Sequence, residues 1–243
     1  MTNITRLATP WYRRVAPDKA EGPREQGSTA PTRILDHESV AITDLVVRSR
    51  AGASGGDDVA VLEAAHSIIR AEVRAVYALS ETTPASRTLT RGFGSCSQRL
   101  AILESAARSL GVSTRVRALL IDRAFWYPRF PRIWFALPDR IMLAWPEFYV
   151  DGWRSASELF GSIGCRGGGE FTNDGSETLF EAAGRCAVDW DGRSRGSEYD
   201  LSRFVLSDFG YFTDRDDVFD RLGQTLCAPS RLVADPILRR IAA

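Results

Sequence analysis

The stretch GFGSCSQRLAILESAARSLGVSTRV (92–116) decides the fold. From Cys96 to Leu110 its apolar residues recur at helical spacing, and Gly111 ends the pattern. The residues that follow, STRVRALLID (113–122), alternate between apolar and polar side chains as a strand does. We therefore predict a helix that begins at Cys96 and is followed directly by a strand.

Further helices and strands are predicted on both sides of this unit. Apolar spacing predicts helices at 36–50 (with Asp36 as N-cap), 57–79, 85–90, 175–186 and most of 198–240. The stretch RIMLAWPEFYVDGW (140–153) predicts a strand that ends in a turn at Asp151-Gly152. Helices that flank a group of antiparallel strands predict an α+β fold rather than alternating βαβ units.

Composition divides the chain into three parts. After Trp11 and Tyr12, residues 1–33 become polar and rich in Pro and Gly, so we interpret them as a mobile N-terminal arm or as an early lid strand followed by a linker. Residues 34–160 form the predicted core, in which the helix that carries Cys96 packs on an antiparallel sheet. Residues 161–243 begin with a glycine-rich loop and continue as a C-terminal helical region packed on that core.

The overall composition excludes several classes of function. The 243 residues are 44% hydrophobic and 26% charged with zero net charge, so nothing indicates a nucleic-acid partner or an anionic membrane surface. No apolar stretch is long enough to span a bilayer, and residues 1–14 lack the apolar core of a signal peptide. Four scattered cysteines and two histidines, His37 and His66, argue against a zinc site and favour a reduced, cytoplasmic protein without a cofactor.

Cys96 is the candidate nucleophile because of its place at the first turn of the predicted helix. Free backbone N–H groups and the helix dipole at this position favour a thiolate and can hold an oxyanion. Gly92 and Gly94 allow the preceding backbone to turn sharply, and we expect Gly94 and Ser95 to border the acyl chain of a substrate. The alternative is that Cys96 is a small buried hydrophobic residue, which is the usual role of an isolated cysteine.

The order of these motifs resembles the core of the transglutaminase-like superfamily over roughly residues 36–160. The resemblance rests on Gly94-Ser95-Cys96 at a helix start, on GVSTRV (111–116), and on LAWPEFYVDGW (143–153). The last stretch is similar to the superfamily's His-Ala-Trp-x-Glu-Val-Tyr-Val-x-Gly-x-Trp strand. The resemblance implies a papain-like fold with Cys96 as the nucleophile of acyl transfer.

The catalytic histidine of that superfamily has no counterpart in this sequence. Its position is occupied by Leu143, so a site on this fold would have to be rebuilt around another base. His66 lies on the apolar stripe of a predicted helix and is interpreted as a core residue. His37 follows a predicted helix start and is interpreted as a surface residue.

A narrower resemblance supports a rebuilt site. ALLIDRAFWYPRFPR (118–132) and LPDRIMLAWPEF (137–148) look like the thiol-dependent Dieckmann cyclases of tetramate and pyridone antibiotic pathways. In that family a Cys works with a downstream Asp and His, which implies a catalytic role for Asp122. The His would fall near Pro131 or Arg132 and is absent. The alternative for Asp122 is a solvated turn residue at a strand end.

Other candidates lie on the strand and loop downstream of the helix. Glu147 shares a strand face with Trp145 and Tyr149, and is either a general base or a structural partner of Arg115 or Arg117. Tyr127 and Arg129 are candidates to bind a polar substrate head. Trp126 and its aromatic neighbours either line an apolar acyl pocket or belong to the core. We also expect Leu143 and Trp145 to face the substrate.

The two resemblances imply an expected function, and two alternatives stay open. In the expected reaction, Cys96 accepts an acyl group from the thioester of an acyl or peptidyl carrier protein. An internal nucleophile of the acyl chain then closes a ring, as a step of polyketide antibiotic biosynthesis. A Dieckmann substrate carries an acidic carbon and demands little of a base, so the chemistry tolerates the missing histidine. The alternatives are transglutaminase-like amide formation or hydrolysis, and a binding or scaffold protein on a degenerate fold.

Overall fold

The computed structural model describes residues 26–125, 138–156, 159, 204–226 and 228–240, which form a mixed α+β fold. The helices in these ranges are α1 (Val40–Gly52), α2 (Asp58–Glu72), α3 (Ala85–Arg91), α4 (Cys96–Ser109), α5 (Arg215–Leu222) and α6 (Ala228–Leu238). The strands are β1 (Arg74–Ala75), β2 (Phe93–Gly94), β3 (Thr114–Asp122), β4 (Arg140–Tyr149), β5 (Trp153–Ser155) and β6 (Val205–Phe212).

The main sheet has four antiparallel strands in the order β5-β4-β3-β6. In the β3–β4 ladder Leu119 stands opposite Leu143, and Asp122 stands opposite Arg140. The predicted turn after β4 is confirmed, since Asp151 and Gly152 both have positive φ angles, 50° and 112°. The short strands β1 and β2 form a separate parallel pair.

The predicted helix at Cys96 is confirmed, and it is the centre of the molecule. Every residue of α4 from Ser97 to Arg108 is buried, so the helix is enclosed on all sides. One apolar cluster joins it to α1, α2 and the sheet and includes Ile42, Leu45, Leu62, Ile69, Leu103, Leu143, Trp145 and Phe148. A second cluster joins it to the sheet and α5 and includes Leu35, Ala101, Val116, Ala118, Ala144, Phe212 and Phe219.

The C-terminal region differs from its predicted helical structure. Residues 205–212 (VLSDFGYF) form β6, which pairs with β3 at the edge of the main sheet. The C-terminal region therefore contributes a strand as well as helices. Its burial alternates only weakly along the strand, because the edge of the sheet leaves much of it accessible. The helix predicted at 175–186 lies outside the described residues.

Two predicted boundaries also change. Helix α2 ends at Glu72 rather than at 79, because Arg74 and Ala75 pair with β2. Helix α1 has Ser39 as its N-cap, while Asp36 accepts the backbone N–H of Ser86 at 2.9 Å in the first turn of α3.

The last residues of the predicted N-terminal arm contact the core. Ser28 forms a β-bridge to Thr114, and the carbonyl of Ala30 accepts from Arg108 Nη1 at 2.6 Å. Arg33 Nε donates to Asp216 at 2.9 Å. The core therefore begins before residue 34, and residues 1–25 lie outside the described part of the chain.

A buried ion pair joins α4 to α5. Arg215 Nε donates to Glu104 Oε1 at 2.5 Å, and Arg215 Nη1 donates to Ser97 Oγ at 2.8 Å, with both charged side chains fully buried. Burial raises the pKa of Glu104, and the charge of Arg215 acts in the opposite direction. Each charge is tolerated in the interior because the other is beside it.

Removal of one partner of this pair is therefore expected to destabilise the fold strongly. Glu104→Leu leaves the Arg215 guanidinium buried without its carboxylate, and we expect a loss of about 3–5 kcal/mol in the free energy of unfolding. The double variant Glu104→Leu/Arg215→Met removes both charges and should recover most of that loss. Urea denaturation measures both values, and a double variant no more stable than the single one would contradict this account.

Candidate functional site

Cys96 is the first residue of α4, and its thiol is half-buried against the first apolar cluster. Ser95 is the N-cap, and its hydroxyl accepts the backbone N–H of Gln98 at 3.2 Å. The Gln98 side-chain oxygen in turn accepts the N–H of Ser95 at 3.0 Å, which completes a capping box. Ser95, predicted to border a substrate, thus has an observed structural role in fixing the start of the helix.

Gln98 is a residue of the candidate site that sequence reasoning missed. Its side chain also accepts from Arg91 Nη2 at 2.5 Å and donates to the carbonyl of Ser80 at 2.7 Å. It therefore joins the loop before α3, the end of α3 and the start of α4 around Cys96. The Ser-x-x-Gln spacing before an apolar helix is the sequence signal that predicts this capping box.

Gly94 is required by a close approach to α3. A Cβ atom at this position would lie 2.6 Å from Cγ2 of the buried Thr88 and 3.2 Å from Oε1 of Gln98. The Gly94 carbonyl accepts the N–H of Val76 at 3.0 Å, so the backbone is fixed on its other side. The glycine of the Gly-Ser-Cys motif thus allows β2 to pass close to α3.

Leu143 and Trp145 are both buried members of the apolar cluster against which Cys96 packs. Their neighbours Met142 and Ala144 lie in the second cluster together with Ala101 of α4. The expectation that Leu143 faces a substrate stays a prediction. Trp145 is only 1% exposed, which makes it a core residue here rather than a substrate-facing one.

Asp122 is half-buried at the end of β3, and its carboxylate is used by the local backbone. Oδ1 accepts the N–H of Ala124 at 2.7 Å, which is an Asx-type turn. This contact is the one expected of a turn residue, the alternative interpretation of Asp122. A role of Asp122 toward Cys96 stays a prediction.

Glu147 forms a buried ion pair with Arg115, which was the structural alternative for this carboxylate. Arg115 Nε and Nη2 reach Glu147 Oε2 at 2.8 and 2.7 Å. The guanidinium lies over the rings of Trp153 and Tyr211, with its carbon 4.2 and 3.9 Å from the ring centroids. Burial raises the pKa of Tyr211 to about 12, with a further contribution from the charge of Glu147.

The structure places the two predicted catalytic acids at opposite ends of the sheet. Glu147 stands opposite Arg115 of β3. Arg115 and Asp122 are seven residues apart on this strand, which corresponds to a distance of about 23 Å. The C-terminal part of α4 is at the Glu147 end, where Arg108 Nε donates to Thr114 Oγ1 at 2.7 Å. Cys96 begins that helix about 18 Å away along its axis. Asp122 and Glu147 therefore do not converge on one site, and Glu147 is held as a structural carboxylate.

His66 does not supply the missing base. It is 2% exposed, in agreement with its interpretation as a core residue. Burial lowers its pKa to about 3, and the charges of Arg99 and Arg70 contribute to the shift. An imidazole with so low a pKa is a poor acceptor for a thiol proton near neutral pH.

Three further predicted site residues, Trp126, Tyr127 and Arg129, lie outside the described residues. Among the helices that are described, none has the length and apolar character needed to cross a membrane. In the same part of the chain, the structure groups no three His, Cys, Asp or Glu side chains as metal ligands.

The chain was compared with protein-family models, curated proteins and solved structures. No protein-family model, no curated protein and no solved structure matches the chain.

The close approach at Gly94 gives a test of how the Cys96 loop is held. Gly94→Ala should destabilise the protein by about 1–3 kcal/mol, because the new methyl group overlaps Thr88 Cγ2. Thr88→Ser in the same chain removes that methyl group and keeps a hydroxyl for the carbonyl of Pro84. Thermal denaturation of both variants and of Thr88→Ser alone should show partial rescue. Strictly additive losses would show that the overlap is not the cause.

Burial of neutral His66 predicts a loss of stability in acid. Below about pH 6.5 the unfolded chain binds a proton on this residue, whereas the folded chain does not until about pH 3. Stability should therefore fall by up to about 1.4 kcal/mol per pH unit as pH falls from 6.5 toward 3.

His66→Leu should remove about one proton equivalent from this dependence, measured by urea denaturation at several pH values. His37→Gln serves as the control, because His37 is only half-buried and bonds the Thr29 carbonyl through Nε2 at 2.9 Å. An unchanged slope in the His66 variant would refute the assignment.

Proposed function

We propose that the protein is a cysteine-dependent acyltransferase that releases a polyketide or peptide from a carrier-protein thioester by ring closure. The observation that carries the proposal is the position of Cys96, a half-buried thiol at the first residue of a helix that is capped and enclosed on all sides. Unpaired N–H groups at a helix start favour a thiolate and stabilise an oxyanion. The similarity of the motif order to transglutaminase-like enzymes supports the same chemistry.

In the first half of the proposed reaction, the Cys96 thiolate attacks the thioester carbonyl. Backbone N–H groups in the first turn of α4, other than that of Gln98, which bonds Ser95 Oγ, stabilise the negative oxygen of the tetrahedral intermediate. Collapse of this intermediate breaks the carbon–sulfur bond to the carrier, whose thiolate leaves and takes up a proton. The product of this half-reaction is an acyl-enzyme on Cys96.

In the second half, an acidic carbon or an amine of the acyl chain attacks the acyl-enzyme. A carbon between two carbonyl groups loses its proton readily, so a weak base is sufficient. Collapse of the second intermediate releases the cyclic product and restores the thiolate. Asp122 is proposed to orient the substrate or accept this proton through Oδ2, since Oδ1 bonds Ala124.

Leu143 has a proposed role in protecting the acyl-enzyme. It occupies the position of the histidine that would activate water in a hydrolase, and it is buried in the cluster that contacts Cys96. An apolar side chain there cannot activate water, so hydrolysis is disfavoured relative to ring closure. The same substitution argues against transglutaminase-like amide hydrolysis.

A binding or scaffold protein is the second candidate. It is favoured by the engagement of both candidate acids in structural contacts, Glu147 with Arg115 and Asp122 with Ala124. In this case Cys96 would be a packing residue and its thiol would have no unusual reactivity.

The two candidates predict different reactivity of Cys96. If the protein is an acyltransferase, iodoacetamide should label Cys96 at least about tenfold faster than a model thiol at pH 7. A β-ketoacyl N-acetylcysteamine thioester should add one acyl mass to the intact protein, located at Cys96 by peptide mapping. Cys96→Ala should abolish the added mass, and Cys227→Ala should retain it. Labelling of Cys96 no faster than a model thiol, with no acyl-enzyme, supports the scaffold.

A further inference from the structure

Arginines converge on the ring of Phe93, three residues before Cys96. The guanidinium carbons of Arg91, Arg239 and Arg74 lie 4.7, 5.9 and 6.0 Å from the ring centroid. Arg74 is exposed, whereas Arg91 and Arg239 are half-buried. Three elements thus bring positive charge to one place: β1, the end of α3, and the residues that follow α6.

This positive charge is only partly balanced. Burial lowers the pKa of Arg91 to about 10, and the charges of Arg239 and Arg87 contribute, while Asp235 acts in the opposite direction. Arg87 is itself exposed, one turn before Arg91 on α3. Asp235 pairs with Arg239 and so neutralises one of the four guanidinium groups. Since the whole chain has zero net charge, this is a local concentration of arginine.

Helix α6 adds an apolar face beside these arginines. On its inner side Asp235 Oδ1 accepts the N–H of Leu79 at 2.7 Å, and Arg239 reaches Phe93. On its outer side Leu232, Val233 and Ile237 are 79, 70 and 62% exposed. Pro236 and Arg240 are exposed with them. An exposed apolar patch with a charged border is typical of a protein–protein interface.

The arginine cluster is joined directly to the start of the Cys96 helix. Arg91 Nε donates to the carbonyl of Phe93 at 2.7 Å, and its Nη2 donates to Gln98 Oε1 at 2.5 Å. Gln98 is the residue that completes the capping box with Ser95. A partner bound at the arginines would therefore lie beside the loop that leads to the thiol.

We propose that this surface, formed by Arg74, Arg87 and the outer face of α6, docks an acidic carrier protein. The arginines would face its carboxylates and the phosphodiester of its acyl arm, for which the guanidinium group is the preferred donor. The residues Leu232, Val233 and Ile237 would cover an apolar patch on the carrier. The inference rests on the proposed function, because a carrier-bound thioester is the substrate assumed there.

The test is a binding measurement with a bacterial acyl carrier protein that carries its phosphopantetheine arm. Fluorescence anisotropy at low salt should give saturable binding to the wild-type chain, weakened by added salt. Arg74→Glu/Arg87→Glu should weaken binding at least tenfold, and Leu232→Ser/Ile237→Ser should weaken it severalfold. Arg50→Glu is the matched control, since Arg50 is an exposed arginine at the end of α1, and should stay within twofold.

The carrier without its arm separates the two sources of negative charge. If the arm contributes its phosphodiester, its removal should weaken binding to the wild-type chain and have less effect on the Arg74/Arg87 variant. Absence of saturable binding, or equal losses in the Arg50 control and the double variant, would overturn the docking surface. Thermal denaturation of each variant shows that a loss of binding does not come from unfolding.

Acylation of wild-type Cys96 by the N-acetylcysteamine thioester reports on the proposed function alone, because this substrate has no carrier. If Cys96 is acylated but the arginine variants bind the carrier as wild type does, the function stands and the docking surface is wrong. If the variants lose carrier binding but no thioester acylates Cys96, the surface stands and the acyl-transfer function is wrong.

Discussion

The burial of α4 on every side is the constraint on which the rest of the structure depends. A helix enclosed in this way must find a partner inside the protein for each of its charged groups. Glu104 finds Arg215 of α5, and Arg108 bonds the carbonyls of Ala30 and Thr213 as well as Thr114. The helix therefore fixes segments from both ends of the described chain around itself. These long-range bonds explain why β6 and residues 28–33 belong to the same core as the helix.

The two ends of this helix have different roles. At its N-terminus, the hydrogen bonds of Ser95 and Gln98 leave the Cys96 thiol half-buried beside a loop. Near its C-terminus, Arg115 of the sheet pairs with Glu147 and lies over the rings of Trp153 and Tyr211. The stretch LAWPEFYVDGW (143–153), which runs from β4 through the turn to the start of β5, thus combines two structural roles. Glu147 and Trp153 contact Arg115. Leu143 lies in the apolar cluster that contacts the Cys96 thiol.

Local patterns in the sequence were sufficient for those parts of the fold that depend on local physics. The start of α4 at Cys96 and the turn at Asp151-Gly152 follow from helical spacing and from turn chemistry. β6 was missed because an edge strand alternates weakly and lies next to helical sequence. The sequence left two roles open for Glu147, a general base or an ion-pair partner. Its ion pair is with Arg115, which lies 32 residues away in the chain, so local patterns could not show it. The separation of Asp122 from Glu147 required the strand register, which spacing alone does not give.

Two of the candidate bases considered for Cys96 are unsuited to that role, which limits the chemistry proposed for this fold. Neutral His66 and ion-paired Glu147 are both held in structural roles, so neither of them supplies the base that water or an unactivated amine would need. A thioester is already activated toward a thiolate, and in the proposed reaction the start of α4 would supply the electrostatic stabilisation for that attack. In the proposed ring closure, the proton would come from an acidic carbon of the substrate itself. The proposal is therefore a reaction in which the substrate, rather than the protein, supplies most of the acid–base reactivity.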